Sequence, residues 1–382
     1  MGRTEPRTPG LRPQAGEAVL ARRHLEALAR AGDILQGDGD LTELAAPDGP
    51  DDAVAASARH LGLAWAQADA QVLLTRVGGG DRRAVEVRVG PAGVVALPVA
   101  PHDEAVDVAL APPTALAATL WRLLRLGPRR HHGRAVTGLD VASLTAPFDA
   151  SDAPADDWRV DLGLDPQRAV LSRVEVRVAP GEPPVPLGLV DDGQVLATVT
   201  SDDGQRFDVT ITTAGELLRT LAGWQERLLV AAGLDDPELD AARREEPRTH
   251  RRLAVPGGTL DVAVPEEWAP VSPPVGLLAA WRAPEATSFA VNVTVSDVAP
   301  AATPYEVAAG LPHGRWVEAP APDVAVLLHR APTTDVVTVQ RDVPVEGGSV
   351  AVSWTCAAHQ ARTWLPELIA WANETTMRRE VR

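Results

Sequence analysis

The chain has 382 residues, is 45% hydrophobic and carries a net charge of −16. That length supports two or three domains, each with its own core, and that apolar fraction excludes a chain disordered throughout. Acids outnumber bases 14 to 8 over residues 253–382 and 38 to 28 before them, which argues against nucleic acid and anionic membrane surfaces as partners.

All 36 basic residues are arginine. A lysine Schiff base, a P-loop lysine and a Ser–Lys pair are thereby excluded. Cys356 is the single cysteine, so neither an intramolecular disulfide nor a cysteine-based metal site is available. The opening MGRTEPRTPGLRPQAGE lacks the apolar core of a signal peptide, and no apolar run reaches membrane-span length. A cytoplasmic protein without membrane insertion is expected.

Residues 1–14, rich in Pro, Gly and Arg, predict a disordered tail. GEAVLARRHLEALARAGDIL follows, with Val19, Leu20, His24, Leu25, Leu28 and Ile34 near helical spacing. Asp38 to Asp51 reads as an acidic loop and Asp52 to Ala66 as a second helix. QVLLTRV, AVEVRV, VVALPVA and AVDVALA then predict antiparallel strands joined by the turns GGGDRR and GPAG. PPTALAATLWRLLRL predicts a helix, proline first, with Leu116, Leu120, Leu123 and Leu124 on one face.

The same order returns about a hundred residues later. Residues 94–124 and 195–225 match without a gap at an offset of 101, with seven of 31 positions identical. The identities are Val94/Val195, Ala96/Ala197, Asp107/Asp208, Val108/Val209, Leu116/Leu217, Thr119/Thr220 and Leu120/Leu221. The second helix opens on a capping box, Thr213 with Glu216, and carries the stripe Leu217, Leu221, Trp224 and Leu228. Two like halves would form a pseudo-twofold domain over 15–234. The charged stretch 235–252 then reads as a linker between two autonomously folding units.

The C-terminal part, 253–382, holds six of the ten tryptophans. LDVAVPEEW, VGLLAAWRA, SFAVNVTVSDV, VAVLLHRA, DVVTVQRDV and SVAVSWTCA predict strands. TWLPELIAWANETT predicts the closing helix, with Thr363 as N-cap, Pro366 in the first turn, and Trp364, Leu368 and Trp371 facing one way. An antiparallel sheet with packed helices makes the fold class α+β.

VPEEW, the strand SFAVNVTV, the segment PAATPYEVAAG and the aromatic closing helix together resemble the PsbP-like fold, in its LpqN-type bacterial form. The resemblance covers about 125 residues and implies tryptophans filling the layer between sheet and helix. Residues 15–230, with EAVDVALAPPTALAATLWRLL as the best local match, resemble the EspG family of type VII (ESX) secretion. That resemblance implies a duplicated fold and a cytosolic adaptor or chaperone for helical secreted proteins of the PE/PPE or WxG type.

The chemistry-bearing residues form no catalytic set. His131 and His132 are adjacent and do not share a helix face; no HExxH or HxH spacing occurs. Ser353 lies inside a strand pattern rather than a GxSxG elbow, and Cys356 reads as a buried thiol. The acid pairs Asp156/Asp157, Asp191/Asp192 and Asp202/Asp203 sit in turn-like contexts that solvate loops. No metal and no cofactor is implied. A non-enzymatic binding protein is expected, the alternatives being a secretion-associated scaffold whose PsbP-like domain binds protein or lipid, and an unrecognised hydrolase. The partner site is assigned to the hairpin Gly78, Gly79, Gly80, Asp81, Arg82 and Arg83: glycines make it mobile and its charges suit a helix end.

Overall fold

A computed structural model describes residues 18–21, 64, 68, 70–78, 81–90, 93–99, 105–111, 113–149, 157–177, 183–202, 204–231, 248–266, 268–282, 292–331 and 334–379. The predicted tail, the acidic loop 38–51, the second helix except Ala64 (which is helical), and residues 235–247 lie outside them.

The chain is α+β, with three antiparallel sheets. The strand β1 (Ala18–Ala21) comes first. A meander of β2 (Ala70–Gly78), β3 (Asp81–Gly90), β4 (Gly93–Pro98) and β5 (Ala105–Ala111) leads through a 3-10 turn into α1 (Leu116–Leu123). Next come β6 (Ala135–Asp140), α2 (Val141–Asp149) and α3 (Trp158–Asp161). A second meander, β7 (Val170–Arg177), β8 (Val185–Asp191), β9 (Leu196–Thr200) and β10 (Arg206–Ile211), leads into α4 (Ala214–Ala231). These ten strands form one sheet in the order β1-β5-β4-β3-β2-β7-β8-β9-β10-β6. The order climbs outward from the central β2–β7 pair to β5 on one side and β10 on the other, with β1 and β6 added at the two ends.

The offset of 101 holds for part of this and slips in one strand. Ala111 of β5 pairs with Val94, whereas Ile211 of β10 pairs with Ala197 and Thr212 bonds the carbonyl of Leu196. The counterpart of Val94 is therefore Leu196, at an offset of 102, while Ala111 and Thr212 keep 101. Burial agrees: Val94, Ala96 and Leu196 join the core under α1 and α4, but Val195 and Ala197 join the opposite face. A one-residue slip exchanges the faces of a strand. The identities Val94/Val195 and Ala96/Ala197 thus do not occupy equivalent sites, whereas Leu116/Leu217 and Leu120/Leu221 are buried in the same core.

Ala18–Ala21, expected in a helix, is instead an edge strand on β5, pairing Ala18 with Val108 and Ala21 with Ala105. Four apolar residues in a row fit either period, and the unpaired edge of β5 decides between them.

After Arg248 the chain makes β11 (Arg248–Val255), β12 (Gly258–Pro265), β13 (Ala269–Val271), β14 (Leu277–Arg282), β15 (Asn292–Ser296) and α5 (Pro304–Gly310). Then follow β16 (Arg315–Ala321), β17 (Val324–Arg330), β18 (Asp335–Val345), β19 (Gly348–Ala357), α6 (Ala361–Glu374) and β20 (Thr376–Arg379). They build a three-stranded sheet, β11-β12-β20, and a seven-stranded one, β13-β14-β15-β19-β18-β17-β16. The strand β11 starts inside the stretch read as linker. The closing helix starts at Ala361, two residues before the expected cap, because a buried 3-10 turn over Ala358–Gln360 delivers the chain to it. Thr363 instead bonds Glu226 of α4 at 3.4 Å, and Pro366 lies inside the helix.

The helices α1 and α4 cover one face of the ten-stranded sheet, and α6 covers one face of the seven-stranded sheet. Because α4 packs on α6, one buried apolar core runs from Val72 and Leu120 through Leu221 to Trp354, Trp364 and Trp371. Trp371 meets Trp268 and Trp364 edge-to-face, at 5.7 and 6.0 Å between ring centres, the geometry aromatic quadrupoles favour. The other face of β8–β10 is closed by Leu144 and Phe148 of α2 and Trp158 of α3.

Candidate functional site

The hairpin singled out from sequence joins β2 to β3, with Gly78 paired to Asp81. Gly79 and Gly80 lie outside the described residues. Gly78 has φ +135°, and a Cβ there would fall 2.7 Å from the Ala169 carbonyl oxygen. Glycine is needed at this point for close approach to the start of β7, so the base of the hairpin is pinned. Asp81 and Arg82 belong to β3, and Arg83 is exposed.

The register of β2, β7 and β8 puts this turn at the same end of the sheet as Asp191 and Asp192. Those two acids do more than solvate a loop. Arg129 grips Asp191 with Nε at 2.7 Å and Nη2 at 2.9 Å. Asp192 is 5% exposed and accepts from the amides of Asp165, Gln194 and Val195 at 2.7, 2.6 and 2.7 Å. Asp157 caps α3 and is held bidentately by Arg159. Each carboxylate is committed to a turn or a cap, where amide donors hold it in place. Asp156 and Asp203 lie outside the described residues.

The histidines are scattered. His131 and His132 are exposed in irregular chain, and His102 lies outside the described residues. His329 bonds Thr338 at 3.0 Å, which bonds Thr355 at 2.9 Å, and burial lowers its pKa. His313 sits at φ +51°; burial and then the nearby Arg122 and Arg330 charges lower its pKa. His359 is fully buried, and burial pushes it down to about 3. Cys356 is buried in β19, and Ser353 is in the same strand. Among the described residues, no three His, Cys, Asp or Glu side chains group to hold a metal ion.

Two features escaped the sequence. Asp335, 0% exposed, accepts from Arg122 at 2.6 Å and from Arg330 at 2.9 and 3.1 Å. Beside it Thr334 bonds Thr114 at 2.9 Å, and Glu318 accepts from the Gly215 amide at 2.9 Å. This polar seam ties the helices on the ten-stranded sheet to the seven-stranded sheet and its loops; Arg122 and Asp335 are 213 positions apart, so no local pattern announces it. The other is a cleft of about 250 Å³ beside β18 and β20, lined by Asp323, Arg341, Asp342, Thr375, Met377 and Arg379. Arg341 is spent on structure there, donating to the carbonyls of Ala372 and Thr375 at 2.7 Å each and to Asp323 at 2.8 Å. Burial raises the pKa of Asp342.

No family model matches the chain, and no curated protein does. Among solved structures, the chain is similar at 13% identity and a TM-score of 0.17 to MucB in its complex with MucA(peri), over 83% of this chain and 94% of that one. Similarity at that level carries no argument about fold or activity. Among the described residues, no helix is long and apolar enough to cross a membrane.

Proposed function

We propose that the protein is a non-enzymatic binding protein, an EspG-like adaptor whose first domain holds a helical secreted partner of the PE/PPE or WxG type. The strand order around the β2–β7 pair supports this reading. Each four-stranded meander ends in a helix, α1 or α4, in the same core, and a duplicated build is what the family resemblance implies. We assign the partner surface to the hairpin Gly78–Arg83, with a cytoplasmic setting. Arginine at a hairpin tip suits the terminal carbonyls of a helix, whose dipole is negative there.

A second reading places binding in residues 253–382, as a PsbP-like, LpqN-type domain. The favouring observation is Trp268, set by the VPEEW turn against Trp371 of the closing helix. Co-expression of the full chain with helical clients from its gene neighbourhood separates the two. Soluble complex formation that is lost when residues 78–83 are shortened supports the first reading. Complex formation unaffected by that change moves the site elsewhere, and clients that stay insoluble overturn the adaptor function. The hydrolase alternative needs a nucleophile beside a base; turnover of ester or peptide substrates would establish it.

A further inference from the structure

The three-stranded sheet carries a charge opposite to that of the chain. The strands β11, β12 and β20 hold 8, 8 and 4 residues. Among these are Arg248, Arg251, Arg252, Arg378 and Arg379, against one acid, Asp261. Five minus one gives +4 locally, and the remaining chain then carries −20 to reach the total of −16.

Asp261 organises the outer face. Its side chain is 3% exposed, with Arg252 Nε at 3.5 Å from one oxygen and Arg378 Nε at 2.6 Å from the other. Two guanidinium groups on one buried carboxylate leave a net positive charge. Those arginine side chains are 71% and 67% exposed, so their charge faces solvent. His250, also exposed, lies two residues along β11 on the face of Arg252.

The strand β11 is also an edge. Among the described residues it pairs with β12 alone. Among the described residues, no strand pairs with its outer side, where alternate residues of an eight-residue strand without a proline turn their amide and carbonyl groups outward. Backbone hydrogen-bonding groups and the exposed guanidinium of Arg252 are presented at one place.

We propose that the outer edge of β11 binds an extended acidic protein segment, which adds as a fourth strand and sets its carboxylates against Arg252 and into the field of Arg378. Strand addition supplies affinity through the backbone, and alternate side chains supply selectivity. A second copy of the chain is rejected at this edge, since arginine would meet arginine. The extent of the patch sets the length of the ligand. At physiological salt, charges interact over about 8 Å. A short acidic segment meets the arginines of these strands, whereas a nucleic acid or an anionic bilayer also meets the acids of the surrounding chain.

The test uses the full chain and a fluorescent eight-residue peptide alternating glutamate and valine, followed by anisotropy. Binding is expected to weaken steeply between about 50 and about 500 mM salt. It should fall by about tenfold or more in Arg252→Gln, fall less in Arg378→Gln, whose strand lies on the far side of β12, and stay unchanged in Arg315→Gln, an exposed arginine of β16. Amide hydrogen exchange on the unaltered protein gives a readout independent of any variant: bound peptide should slow exchange along β11 and leave β16 unaffected. Absence of binding, equal binding of the lysine–valine peptide, or protection outside β11 overturns the proposal. Displacement of the peptide by inorganic phosphate at equal concentration would also overturn it, because the site would then recognise a bare anion. None of these outcomes bears on the hairpin 78–83, so the adaptor reading stands or falls separately.

Discussion

Two buried side chains have direct consequences for stability. His359 has its pKa pushed from 6.5 to about 3 by burial, so the folded chain holds it neutral while an unfolded chain protonates it in mild acid. A depressed histidine contributes stability that is present above pH 6.5 and is lost as pH falls toward 3. The loss approaches about 1.4 kcal/mol per pH unit for one proton. His329 and His313, also depressed, act with the same sign. Urea unfolding between pH 6.5 and 5 should therefore show falling stability, and a steeper fall than in His359→Gln. Parallel slopes would mean that His359 titrates freely. Trp371 is the second case. It is 2% exposed and contacts two other rings, so Trp371→Ala should cost about 3–5 kcal/mol; a melting curve matching the parent would disprove its role in the core.

At the scale of elements, local rules held wherever the local chain was sufficient. The capping box of α4 is formed, with Glu216 N–H donating to Thr213 at 3.0 Å and the Glu216 carboxylate accepting from the Thr213 amide at 3.1 Å. The Thr213 amide is the main cause of the lowered Glu216 pKa. The stripe Leu217, Leu221, Trp224 and Leu228 is buried as its spacing predicts. The hairpin 78–83 is different: its turn is local, but the reason for its first glycine is Ala169, ninety-one positions away. Gly78→Ala should lower stability by about 1–3 kcal/mol, because a Cβ there strains the backbone and strikes a carbonyl. A fully stable variant would show that β7 yields easily, and the hairpin base could then move toward a partner.

For the whole molecule, the decisive contact is between α4 and α6. Composition marks 235–252 as a boundary, yet the core crosses from one large sheet to the other, and the Arg122–Asp335 pair is desolvated in the same seam. Removing Arg122 leaves Asp335 to Arg330 alone, so the cost should stay below about 3–5 kcal/mol, that of a buried charge left with no partner. Limited proteolysis is expected to cut within 235–247. The nicked halves should then co-elute in gel filtration at the size of the intact chain and separate more readily in Arg122→Ala. Free elution of two stable fragments from the unaltered protein would mean that each half folds alone and the seam is weak.

By itself the sequence determined the α+β class, the repeated strand–strand–helix order of 94–124 and 195–225, the strands β12, β14, β15, β17, β18 and β19, and the aromatic core of residues 253–382. All of these follow from side-chain period and from caps and turns a few residues long, which the chain encodes next to where they act. Tertiary structure decided the rest. Whether Ala18–Ala21 is helix or strand depended on the free edge of β5. Which face Val195 takes depended on the register of β9 against β10. Asp192 became a buried turn cap because Asp165 lies beside it, and Asp335 found Arg122 across the seam. The same gap limits the candidate sites. The glycine hairpin was legible because glycine marks turns, whereas the arginines of β11 and β20 lie about 130 positions apart in sequence, and only the pairing of both strands with β12 gathers them around Asp261. Long-range pairing is a property of the closed sheet, and no local pattern carries it.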